Sequence, residues 1–91
     1  MNDNIVPLGS KYIHTAAHLF QSKRLTLARE LRGFTKAELA DIVGKTPSSI
    51  SQFEDEDVNL KPDAATLGQL AMALSVPVQF FTRKMSSDLI H

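Results

Sequence analysis

The stretch from Thr35 to Glu54 constrains this chain more than any other. Thr35-Lys36-Ala37-Glu38 has the form of a capping box. The threonine hydroxyl would accept a free backbone N–H while Glu38 reaches back to the Thr35 amide. Leu39, Ala40 and Val43 then give a helical stripe. Gly44 can take the positive φ that ends such a helix. Only Lys45 separates it from Thr46, a good N-cap, and from Pro47, which sits where a helix tolerates proline. The spacing predicts a second short helix over residues 47–55, with Ile50 and Phe53 on its inner face. Ser48, Ser49, Ser51 and Gln52 then point elsewhere. The result is two short helices whose crossing is fixed by a tight turn and locked by Leu39, Val43, Ile50 and Phe53.

The flanks read as helices too. Residues 22–32 place Leu25, Ala28 and Leu31 inward, and Gly33 stops that run. Residues 55–62 read as a loop. Asp63 caps a helix through about Ser75 with Leu67, Leu70, Ala71 and Leu74 inside. Pro77 opens a last short helix carrying Phe80 and Phe81, which close the core or form a partner patch. Residues 1–9 read as a loose leader. Ser10 could cap a helix over 11–20 with Tyr12, Ile13, Ala16, Leu19 and Phe20 at roughly helical spacing. No strand-like alternation or internal repeat stands out. The expected fold is all-α, five helices with an additional N-terminal one. The expected division is 1–22 for the leader and extra helix, 23–82 for the main domain, and 83–91 for a tail carrying Leu89-Ile90.

Composition excludes several classes. A chain of 91 residues makes one domain, and 43% hydrophobic with 22% charged residues is ordinary for a globular one. Without cysteine, disulfides and thiolate metal sites are impossible. No apolar run nears the roughly 20 residues of a membrane helix, and the N-terminus lacks the layout of a secretory signal. A cytoplasmic protein with no membrane partner is the expectation. His14 and His18 stand i, i+4, but no third ligand is evident, so no metal or cofactor is expected. The acidic run from Glu54 to Asp57 lacks the ligand spacing of a calcium loop. The serines have no evident His–Asp pair, so the chain does not read as an enzyme.

Two capped helices joined by a tight Gly-containing turn are the layout of a helix-turn-helix. The second helix, with its row of short polar side chains, suits a major groove about 12 Å wide. From Arg24 to Thr82 the sequence resembles the Xre and phage-repressor family of helix-turn-helix regulators. The residues that carry the resemblance are Arg29 before Gly33, Phe34-Thr35, Glu38-Leu39-Ala40, Gly44, Ser49-Ile50-Ser51, Phe53-Glu54, Thr66-Leu67, Leu70-Ala71, Ala73-Leu74 and Val76.

The resemblance implies a lambda-repressor-like five-helix bundle that works as a homodimer on double-stranded, operator-like DNA. It gives Lys36 a phosphate contact and makes Pro47, Ser48 and Gln52 the base-reading positions. Gln52 leads among them, because its amide can pair with adenine in bidentate fashion. Ser49 and Ser51 are neighbours that touch backbone or stay peripheral, and Thr46 at the start of the helix counts among the DNA-binding positions. Lys23, Arg24 and Lys45 are either phosphate contacts or solubilising charges. Arg29 and Glu54 resemble an internal ion pair of the family, with a structural role.

Three departures matter. Pro47 cannot donate or accept for a base, Asp55-Glu56-Asp57 places negative charge where phosphates would pass, and a segment is added before Lys23. Ten basic and ten acidic side chains cancel, which argues against strong non-specific DNA binding, although Lys23, Arg24, Arg29, Arg32, Lys36 and Lys45 gather early in the chain. Val76 to Arg83 also resembles the subgroup in which this domain precedes an ImmA/IrrE-type metallopeptidase. The expected function is a sequence-specific transcriptional regulator. The alternatives are an antitoxin-like protein-interaction module with weak DNA affinity, or the N-terminal domain of a regulator bearing a downstream peptidase.

Overall fold

A computed structural model describes residues 15–84. Four α-helices, α1 (Ser22–Leu31), α2 (Lys36–Val43), α3 (Pro47–Phe53) and α4 (Ala64–Leu74), are followed by a 3-10 helix (Val78–Thr82). The described residues contain no strand. The five-helix, all-α expectation therefore stands. Of the expected helix over 11–20, residues 15–18 are helical, and Ser10, Tyr12 and Ile13 lie outside the described residues.

One core unites these elements. Leu25 and Ala28 of α1, Leu39, Ala40 and Val43 of α2, Ile50 and Phe53 of α3, and Leu67, Leu70, Ala71 and Leu74 of α4 are all buried in one cluster. Phe81 closes it from the 3-10 helix, and Ala16 and Phe20 join it from the leading segment. The Phe20 and Phe81 ring centroids lie 5.9 Å apart. The Gln21 amide donates to the Phe81 carbonyl at 2.8 Å, and Lys61 Nζ donates to the Phe20 carbonyl at 3.3 Å. The leading segment is thus tied into the core on both flanks. Phe80 is only half-buried, with its ring perpendicular to that of Phe81 at 5.8 Å between centroids and its face under Arg24 at 3.9 Å.

One expected core position is wrong. Leu31 is 68% exposed. At about 100° per residue it lies about 120° round the helix from Leu25, while Arg32 returns to the buried line. Arg32 uses that position to donate to the Leu74 carbonyl at 2.6 Å and the Ser75 carbonyl at 3.0 Å. It thereby satisfies carbonyls at the end of α4 that no helical N–H can reach. Leu19 is also exposed, because the leading helix ends at residue 18 and Leu19 lies in the closing turn.

The helix ends follow the sequence signals closely. At the end of α1 the Phe34 amide donates to the Arg29 carbonyl and the Gly33 amide to the Glu30 carbonyl, with Gly33 at φ 76°. At the end of α2, Lys45 N reaches Ala40 O and Gly44 N reaches Asp41 O, with Gly44 at φ 69°. Both are the paired closures in which a left-handed residue reverses the chain. The end of α4 repeats the pattern with Ser75 at φ 56°, a serine doing what glycine does more cheaply.

Asp63 caps α4 by accepting from Thr66 N at 2.8 Å. That backbone hydrogen bond, then the Thr66 side chain and the charge of Lys45, hold the Asp63 carboxyl below its ordinary value against a small desolvation cost. A depressed carboxyl contributes stability above its unfolded value and loses it as pH falls through the folded one. Stability should therefore decline as pH drops below the ordinary aspartate range near 3.8. Asp63→Asn keeps a capping oxygen but cannot titrate, so its melting temperature should fall less steeply across that window. Equal slopes for variant and parent would show that the cap does not sense pH.

Candidate nucleic-acid interface

The polar face of α3 is positioned from beneath and from both ends. Thr35 Oγ1 accepts from Glu38 N at 3.0 Å, and Thr35 N donates to Glu38 Oε1 at 2.8 Å, completing the capping box at the start of α2. Thr46 Oγ1 accepts from Ser49 N at 3.1 Å and caps α3, with Pro47 in the first turn. Ile50 is fully buried and Phe53 nearly so. Packing of α3 on α2 then fixes which residues remain outside.

The C-terminal end of α3 is held by charge. The helix stops at Phe53, two residues short of the expected boundary, and Glu54 is its C-cap. The chain turns away there, with Asp55 N donating to Gln52 O and Asn59 N to Asp55 O. The Glu54 carboxylate is committed inward. Arg29 Nε meets Glu54 Oε2 at 2.7 Å and Arg29 Nη2 meets Oε1 at 3.1 Å. Arg29 Nη1 also donates to the Phe34 carbonyl at 2.9 Å. Their side chains are 11% and 6% exposed. The hydrogen bonding of Arg29 to the Glu54 carboxylate raises the guanidinium above its usual value, despite some opposing desolvation. One arginine thus ties α1, the start of the α2 turn and the end of α3 together.

The residues singled out from sequence fall into three groups. Lys45, Thr46, Pro47, Ser48 and Gln52 are exposed. Lys36, Ser49 and Ser51 are half-buried. The hydroxyls of Thr46 and Ser49 lie 3.0 Å apart and share a hydrogen bond, so part of their capacity is spent within the cap. Ser48 and Gln52 are different: their side chains make no hydrogen bond to any described residue, which leaves them available outward. Lys36 and Ser51 line a polar cleft of about 440 Å³ with Lys23, Arg29 and Asp55.

Two cations that could have met phosphate are used internally. Lys23 Nζ donates to the Glu54 carbonyl at 3.1 Å. Arg24 Nε donates to the Phe80 carbonyl at 2.9 Å while its guanidinium covers the Phe80 ring. These tertiary roles, and that of Arg32, escaped the sequence reading, because their partners are backbone carbonyls far along the chain. Beyond Glu54 the acidic run is exposed, and Asp57 N donates to Asp55 Oδ1 at 2.9 Å in a local turn. His14 lies outside the described residues and His18 is exposed. Among the described residues no three metal-ligating side chains gather, and no helix is long and apolar enough to cross a membrane.

A family model described as helix-turn-helix matches residues 25–81. No curated protein matches the chain significantly. The matched span begins at the buried Leu25 and ends at the buried Phe81, so it takes in the core from α1 through the 3-10 helix. The chain belongs to this Xre-like helix-turn-helix family, whose domains bind DNA.

Proposed function

We propose that the protein is a sequence-specific transcriptional regulator that places α3 in the major groove of its operator. The observation that carries this reading is the outward, unpartnered placement of Ser48 and Gln52 on a helix anchored at both ends. Gln52 reads a base, Ser48 assists, and Pro47 contributes shape rather than a hydrogen bond. Lys36 and Lys45 meet phosphates, and Thr46, Ser49 and Ser51 lie along the backbone. The protein acts as a homodimer on a palindromic site whose half-sites lie about 34 Å apart.

Selection of bound duplexes from a random pool should yield such a palindrome, with affinity that falls as salt rises. Gln52→Ala should weaken discrimination at one base pair by about 1–3 kcal/mol, read as competition between the selected site and its single-base variants. If the variant ranks those sites as the parent does, Gln52 is not the reader.

A second reading, a protein-interaction module with little DNA affinity, is favoured by one observation. Asp55, Glu56 and Asp57 are exposed just beyond α3, and Asp55 lines the same cleft as Lys36. Neutralising all three should tighten binding to DNA severalfold at low salt if phosphates pass there. Unchanged binding, measured by fluorescence anisotropy, would favour the interaction module. The resemblance of Val76–Arg83 to peptidase-linked relatives extends the proposal to a regulator with a downstream metallopeptidase. Sequencing the gene past His91 tests that extension.

A further inference from the structure

One small hollow on the surface is lined by two cations and no carboxylate. Arg24, Pro77, Gln79, Phe80 and Arg83 enclose about 260 Å³ between the first turn of α1 and the 3-10 helix. The polar cleft that contains Lys36 and Ser51 differs, because there Lys23, Arg29 and Lys36 meet Glu30, Glu54 and Asp55 and the charges cancel. The two places also lie on different sides of α1. Lys23 reaches the Glu54 carbonyl at the end of α3, whereas Arg24, about 100° further round the helix, reaches the Phe80 carbonyl. No residue of α3 lines the smaller hollow.

We infer that this hollow binds a phosphate dianion, either free or as the head group of a small phosphate monoester. Arg24 is held in place before any ligand arrives. Its Nε donates to the Phe80 carbonyl at 2.9 Å, and its guanidinium lies over the Phe80 ring at 3.9 Å. Those contacts leave Nη1 and Nη2 without a hydrogen-bond partner among the described residues. They form the forked edge with which arginine takes two oxygens of one phosphate. Arg83 is exposed, follows directly on the 3-10 helix, and has no hydrogen bond or ion pair with a described residue. It supplies the second charge, and the Gln79 side-chain amide adds a neutral donor.

Electrostatics and size select this ligand. Arg24 stands in the first turn of α1, where the helix dipole already places partial positive charge. That turn holds no acidic residue, and Gln21 gives the helix no side-chain cap. A cation there is locally unfavourable, and an anion shared by Arg24 and Arg83 relieves the repulsion. The hollow is smaller than the roughly 300–1,000 Å³ of sites for drug-sized ligands, so it takes a head group and not a large molecule. Two fixed positive charges match a dianion better than the single charge of a carboxylate or of a DNA phosphodiester. Bound phosphate would tie the end of the 3-10 helix to the start of α1.

Chemical-shift titration of the isotope-labelled chain, at constant ionic strength and without DNA, tests this site apart from the operator reading. Inorganic phosphate and methyl phosphate should each shift the amides of Arg24, Gln79, Phe80 and Arg83 along a saturating curve. Tighter binding of methyl phosphate would make a phosphorylated small molecule the natural source, and tighter binding of inorganic phosphate the free ion. Arg83→Gln should weaken both by about tenfold or more, the effect of losing one charge-assisted hydrogen bond. Its melting temperature without ligand should match the parent's, because Arg83 holds no described residue. Shifts that never saturate, the same shifts with potassium chloride, or parent-like binding by Arg83→Gln would overturn the inference. So would Arg83-dependent capture of a short mixed-sequence duplex while both phosphates leave the four amides unmoved, since the hollow would then grip a nucleic-acid backbone.

Discussion

Glu54→Ala should destabilise the protein by about 3–5 kcal/mol. The cost is not the loss of an attractive contact in water, since exposed ion pairs contribute only about 0–1 kcal/mol. It arises because Arg29, 11% exposed and making two hydrogen bonds to Glu54, would be left charged and desolvated, with only the 65% exposed Glu30 carboxylate 4.0 Å away as counter-ion. The Phe34 carbonyl would be the one hydrogen-bond acceptor left to it among the described residues. Small domains have about 5–15 kcal/mol in all, so this single change removes much of the total. Urea denaturation followed by circular dichroism measures it, with a lower midpoint at similar slope. Arg29→Met combined with Glu54→Leu should recover a large part of the loss, because no orphaned charge then remains. A loss under about 1 kcal/mol for Glu54→Ala would mean that water reaches the pair freely and that α3 is held by packing alone.

Phe20→Ala should cost a similar amount, about 3–5 kcal/mol. The ring is 2% exposed and packs against Phe81, which is fully buried. Its removal leaves a cavity between the leading segment and the 3-10 helix, whose collapse is opposed by the Gln21–Phe81 backbone hydrogen bond and by the Lys61 side chain on the Phe20 carbonyl. The matching control is Leu19→Ala. Leu19 is adjacent in sequence but 52% exposed, so its loss should stay within about 0.5 kcal/mol. If both substitutions prove equally mild, the leading segment covers the bundle without being part of its core.

Local signals were the legible ones. The capping box at Thr35, the glycine at 44, the threonine-proline start of α3 and the aspartate cap at 63 each act within four residues, so spacing alone places them. The inward stripes of α2, α3 and α4 were legible for the same reason. The Arg29–Glu54 pair was not readable from spacing, since 25 residues separate the partners; it came from the family resemblance. Arg24 and Arg32 were invisible because a side chain that seeks a backbone carbonyl leaves no trace in the partner's identity. Leu31 misled because hydrophobicity was followed past the point where rotation along α1 had carried it into solvent. On the site, polarity separated the outer face of α3 from the inner one, but it could not show that Thr46 and Ser49 bond to each other while Ser48 and Gln52 stay open.

The connection between α2 and α3 has a consequence for control. Gly44 and Lys45 give their amides to the end of one helix, and Thr46 gives its hydroxyl to the start of the next. To swing α3 against α2 at this corner, these bonds would first have to break. Any ligand that reoriented α3 against α2 would therefore have to supply enough binding energy to undo both caps.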